Sequence, residues 1–131
     1  MALSTAAEIE ELADKLTAAA DAMYASIIAA AKQKSISHED AQNALEKSLL
    51  LRQKATGLYT NAISKILSTV KIPQEELITV IDQAKEVIET MEDIEKCLIM
   101  TALLIELAAN TVELDAKGIV ASVQKIKKVC N

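Results

Sequence analysis

A chain of 131 residues that is 51% hydrophobic and 25% charged is long enough for one domain with its own core and too apolar to stay disordered. Its net charge of −5 speaks against nonspecific nucleic-acid binding and against attraction to anionic lipid, because both run on an excess of Lys and Arg. One Pro, two Gly, no Phe and no Trp leave little room for a turn-dense β architecture and point to helices around an aliphatic core.

The first predicted helix starts near Ser4 or Thr5, where Thr5 and Glu8 have the spacing of a capping box. Its apolar seam is Ile9, Leu12, Leu16, Ala19, Met23, Ile27 and Ala30, in steps of three and four, and it ends near Lys34. The second helix starts at Ser37, with Asp40 three residues on. Its seam reads Leu45, Leu49, Arg52, Thr56, Tyr59, Ile63, Ile66 and Val70, with Arg52 and Thr56 as polar intrusions and Gly57 as a tolerated interior glycine.

Pro73 is the one sharp punctuation mark and suits the first turn of a third helix. That helix is expected to run unbroken to about Asn110, along Leu77, Val80, Ala84, Val87, Met91, Ile94, Leu98, Thr101, Ile105, Ala108 and Val112. A shorter last helix follows, with the seam Ala116, Ile119, Val123, Ile126 and Cys130, capped by Thr111 or Asp115. Lys125, Lys127 and Lys128 fit its last turn, where the helix dipole favours cations.

Residues 1–131 therefore read as a single all-α domain, an antiparallel up-down bundle of three long helices plus a shorter fourth. In that arrangement one end has four helices and the other three. Residues 97–109, CLIMTALLIELAA, are apolar nearly all round and suit the four-helix end. This run is 13 residues long and contains Glu106, short of the ~20 residues that span a bilayer. Met1-Ala2-Leu3-Ser4 lacks the basic and apolar regions of a signal peptide, so a cytoplasmic location is expected.

Little in the chain carries specific chemistry. His38 is the only histidine, and no Glu stands three residues before it, so a Glu-x-x-His dimetal site is not expected. No nucleophile and base can be paired, and neither a metal nor a cofactor is expected. Cys97 and Cys130 lie at one level on adjacent helices if the last hairpin turns near residues 113 and 114, which permits a bridge; two thiols are the default in a cytoplasmic protein.

The most conspicuous cluster is acidic. Residues 74–95 hold eight carboxylates and one cation, Lys85. The plain reading is a solvated face. The functional reading is a docking surface, with Leu77, Val80, Ala84 and Val87 lining an apolar groove at the three-helix end and Asp82, Glu86 and Glu89 selecting a basic rim. The expected function is a non-enzymatic bundle that binds a protein partner or a second copy of itself as a homodimer, and not nucleic acid. The alternative is a carrier of an acyl chain, or a membrane-active bundle, since ligand sites form between bundle helices.

Overall fold

Thr5 opens the first helix, α1 (Ala6–Lys32), in the computed structural model, which describes residues 1–90 and 93–131. The Thr5 hydroxyl accepts the Glu8 N–H at 3.1 Å, and the Glu8 carboxylate reaches back to the N–H and hydroxyl of Ser4, each at 2.9 Å. The reciprocal half of the capping box thus falls one residue earlier than the simple motif. Every residue of the expected α1 seam is buried. The second helix, α2 (His38–Thr60), is capped by the Ser37 hydroxyl, which accepts the Asp40 N–H at 3.0 Å.

After α2 the structure departs from the sequence reading. The helix stops at Thr60, a short 3-10 turn covers Ala62–Lys65, and residues 66–73 run without helix. This segment crosses the start of α1. Leu67 donates its N–H to the Leu3 carbonyl at 2.8 Å, and Ala2 donates to the Ile72 carbonyl at 2.7 Å. Leu3 takes a left-handed φ of 60°, held between the Leu67 bond and a 3.0 Å bond from its own N–H to Gln74 Oε1. Ala2, Leu3, Leu67, Val70 and Ile72 are all buried, so the crossing is sealed by apolar contact as well as hydrogen bonds.

The expected long third helix is two helices, α3 (Gln74–Thr90) and α4 (Ile94–Val112). Asp93 caps α4: its carboxylate accepts the N–H groups of Glu95 and Lys96 at 3.0 and 3.5 Å. The chain reverses between them. Cys97 Sγ lies 3.7 Å from the Val87 carbonyl, whereas ten residues of continuous helix would separate the two by about 15 Å. Met91 and Glu92, placed by the sequence reading in the seam and in the acidic run, lie outside the described residues. The last helix, α5 (Ala116–Cys130), is capped by Asp115, whose carboxylate accepts the Gly118 N–H at 2.9 Å.

The fold is all-α, with 81% of the described residues helical and no strand among them. The α-helices there number five, which replaces the expected three long helices and a shorter fourth. α1 packs on α2 and α3, while α4 packs on α2, α3 and α5. α2 is antiparallel to α1, since Arg52 pairs with Asp21 and Tyr59 with Asp14. α3 runs parallel to α1: Gln74 meets Glu8 and Glu11, and Lys15 meets Asp82 one turn pair further along both helices. The helices thus alternate in direction along the chain, as expected for an up-down bundle, but the 61–73 crossing carries the chain from α2 past the start of α1, so that α3 packs on α1. α5 returns antiparallel to α4, as the Lys125–Glu106 and Ser122–Asn110 pairs show, and also packs on α3.

The phase of α2 also differs. Its buried residues are Ala41, Ala44, Ser48, Leu51, Ala55 and Leu58. Leu49, Arg52, Thr56, Tyr59 and Ile63, all in the expected seam, are exposed. The buried stripe is mostly small, which lets α2 approach its neighbours closely and leaves the larger side chains on the flank. In α4 the core is Cys97, Met100, Thr101, Leu104, Leu107, Ala108 and Thr111; Leu98 and Ile105 are only half-buried and Val112 is exposed.

Candidate functional site

The flank that α2 turns away from the core meets α1 in a cleft of about 420 Å³ lined by Ala20, Asp21, Tyr24, Ser48, Leu49 and Arg52. Ala20 and Ser48 are almost completely buried and form its floor. The Ser48 hydroxyl donates to the Leu45 carbonyl at 2.8 Å, so the floor presents no unsatisfied hydroxyl. Tyr24 from α1 and Leu49 from α2 form the walls, 50% and 58% exposed. Arg52 donates to the Asp21 carboxylate across the helix pair.

Two turns further along, the Tyr59 hydroxyl donates to Asp14. Burial raises the Tyr59 pKa first, and the bond to the Asp14 carboxylate raises it further, because that bond needs the phenol protonated. The flank is thus a ladder of two polar pairs seven residues apart on each helix, next to two large exposed apolar side chains. It holds one cation and two carboxylates, a mixed charge unlike the acidic run.

The structure disperses the acidic docking surface expected from the sequence. Leu77, Val80 and Ala84 are buried in the core beneath α1 and α5, and Val87 is half-buried, so the expected open groove is filled. The opposed directions of α3 and α4 are the physical reason: they place α3 between α1 and α5 instead of at a bare three-helix end. Asp82 pairs with Lys15 at 3.2 Å, Glu89 with Lys85 at 3.6 Å, and Glu76 with Lys127. Glu86 remains exposed beside a cleft of about 350 Å³ that also contains Val87 and Cys130. Asp82 and Glu76 thus fasten α3 to α1 and α5, while Glu89 pairs within α3 itself.

The cysteines are present as thiols, Cys97 buried and Cys130 half-buried. Burial pushes the Cys130 thiol up, Lys96 opposes that shift, and Glu86 adds to it. Among the described residues no group of three or more His, Cys, Asp or Glu side chains is placed to hold a metal ion, and no helix is long and apolar enough to cross a membrane.

No protein-family model, curated protein or solved structure matches the chain. The site therefore rests on its own chemistry. Sequence reasoning missed Tyr24 and misassigned Leu49 to the core. The usable signal was the polar pair Arg52 and Thr56 inside the α2 seam: a stripe that repeatedly admits polar residues is a flank, and the stripe one residue to its side is the buried one.

Proposed function

We propose that this chain is a non-enzymatic binding module, acting in the cytoplasm through protein contact, and that its contact surface is the α1/α2 flank around Tyr24 and Leu49. The occupant is a second copy of the chain, related by a two-fold axis. The observation that supports this most directly is the pairing of two large exposed apolar walls with an adjacent Asp21–Arg52 pair. An isologous interface must be self-complementary. A patch carrying both an acid and a base meets that condition, because Asp21 of one copy can face Arg52 of the other. Elsewhere a net charge of −5 makes copies repel.

The non-enzymatic part of the reading follows from the side chains around the clefts. His38, the sole histidine, is exposed at the first residue of α2. The Cys130 thiol is shifted up, opposite to the direction of an activated thiolate nucleophile.

Sedimentation equilibrium over a wide concentration range tests the proposal, with Leu49→Asp and Tyr24→Ala as the variants. Both positions are half-exposed or more, so the fold should survive, as circular dichroism can verify. The wild type should self-associate and Leu49→Asp should be monomeric. A wild type that stays monomeric throughout, or a Leu49→Asp variant that associates equally well, refutes the assignment.

A further inference from the structure

Ala2 and Leu3 precede α1 and belong to no helix, yet both are fully buried. Leu3 holds its left-handed φ of 60°, a conformation that a residue with a Cβ keeps only where its surroundings enforce it. Three hydrogen bonds hold the pair. The Leu3 N–H donates to Gln74 Oε1 at 3.0 Å, the Leu3 carbonyl accepts the Leu67 N–H at 2.8 Å, and the Ala2 N–H donates to the Ile72 carbonyl at 2.7 Å. Gln74 is itself fixed to α1, because its Nε2 donates to the Glu8 carbonyl at 3.1 Å and to the Glu11 carboxylate at 2.9 Å.

The crossing depends on this pair more than the pair depends on the crossing. Among the described residues, the bonds to Leu3 and Ala2 are the only backbone–backbone hydrogen bonds that residues 67–72 make. Of residues 66–73, Leu67, Val70 and Ile72 are buried and the other five are exposed. The helices on either side carry their own ladders of bonds and keep them without Ala2 and Leu3. The crossing has no ladder of its own. A segment with few buried side chains and a largely solvated backbone is the kind that opens locally, apart from global unfolding.

We propose that Ala2 and Leu3 are a latch on the crossing. When they withdraw, residues 66–73 open with them as one unit while the α-helices stay folded. Gln74 positions the latch by holding the Leu3 N–H against α1 and the first turn of α3. The device sits on the connection between α2 and α3, and it sets whether that connection is taut or slack. It does not depend on the α1/α2 contact, and Leu49→Asp should leave it intact.

Native-state hydrogen exchange of the full chain, followed amide by amide by NMR at low urea concentrations, tests the latch. The Leu67 amide should be protected, because its acceptor is the Leu3 carbonyl. Its exchange should depend only weakly on urea, since a local opening exposes little surface, whereas Leu16 and Leu104 in the helical core should show the steep dependence of global unfolding. Gln74→Ala, at a half-buried position, should accelerate Leu67 exchange about tenfold with the same weak urea dependence, as expected for the loss of one hydrogen bond. Leu3→Asp, which expels the latch, should leave Leu67 unprotected while Leu16 and Leu104 remain protected and the helix content by circular dichroism is unchanged. A Leu67 amide with the steep urea dependence of Leu104 overturns the proposal, as does one unprotected in the wild type. Unchanged Leu67 exchange in Gln74→Ala, or a Leu3→Asp variant that loses its helices, overturns it as well.

Discussion

Lys15 and Asp82 lie 3.2 Å apart although 67 residues separate them, and they join two helices that run in the same direction. Parallel neighbours require a long connection between them. Here it consists of α2 and the 61–73 crossing, and the crossing is what sets α3 against α1. The ion pair is half-exposed at both ends, so it marks the register more than it supplies stability. Asp82→Asn should lower the unfolding free energy by less than ~1 kcal/mol in urea denaturation. A loss well above that would mean the pair is anchored more firmly than its exposure implies.

The phase of α2 can be read from paired truncations. Leu51 is fully buried and Leu49 is 58% exposed, two residues away. Leu51→Ala should destabilise by about 2–5 kcal/mol, and Leu49→Ala should fall within ~0.5 kcal/mol of the wild type. Reversed magnitudes would restore the seam through Leu49. Leu104→Ala in α4 should behave like Leu51→Ala, with the half-buried Leu98 costing less.

The two glycines should respond in opposite directions. A Cβ at Gly57 meets nothing within 4 Å, so Gly57→Ala should stabilise by about 0.5–1 kcal/mol through helix propensity. A Cβ at Gly118 would lie 2.5 Å from Asp115 Oδ2 and 2.8 Å from Asn110 Cγ. Gly118→Ala must displace the cap of α5 and should destabilise by about 1–3 kcal/mol. Thermal melts of the two variants check both signs.

Tyr59 links stability to alkaline pH. Its pKa is raised in the folded state, so the folded chain holds the phenolic proton more tightly than the unfolded chain does. The stability it contributes is fully present below the ordinary tyrosine pKa of about 10 and is lost as pH rises through the higher folded value. Tyr59→Phe should remove that part of the alkaline loss. An absorbance titration of tyrosinate in a Tyr24→Phe background should show Tyr59 ionising later than a free tyrosine; ionisation at or below the free value would contradict the Asp14 bond.

The thiols should be distinguishable by access. Cys97 is 1% exposed, and Cys130 is half-buried with a raised pKa. A thiol reagent applied to the native chain near neutral pH should modify Cys130 slowly and leave Cys97 until the chain unfolds. Equal labelling of both in the native state would mean that the contact of α4 with α3 opens readily.

The sequence by itself determined the helical character of this protein, because breakers are nearly absent and the alternation of three and four is sustained. It also determined where α1 and α2 begin, because Thr5 and Ser37 satisfy backbone N–H groups within their own first turns, and it determined the core seam of α1 from Ile9 to Ala30, to which the structure adds the buried Ala13 and Ala20. These are local effects, complete within a few residues. Only the tertiary structure decided that α3 and α4 are separate helices packed back on each other. Asp93 is one of eight carboxylates in an acidic run, and nothing local distinguishes a capping aspartate from a solvated one; the gain from reversing comes from packing α3 between α1 and α5, which involves residues far away in the chain. The phase of α2 was decided the same way. Two stripes one residue apart were both consistent with its periodicity, and the alanine-rich one was buried because small side chains allow a close approach to α1 and α4. The large residues of the other stripe were left outside, and with them the Tyr24–Leu49 surface, which arises from the pairing of two helices and belongs to neither alone.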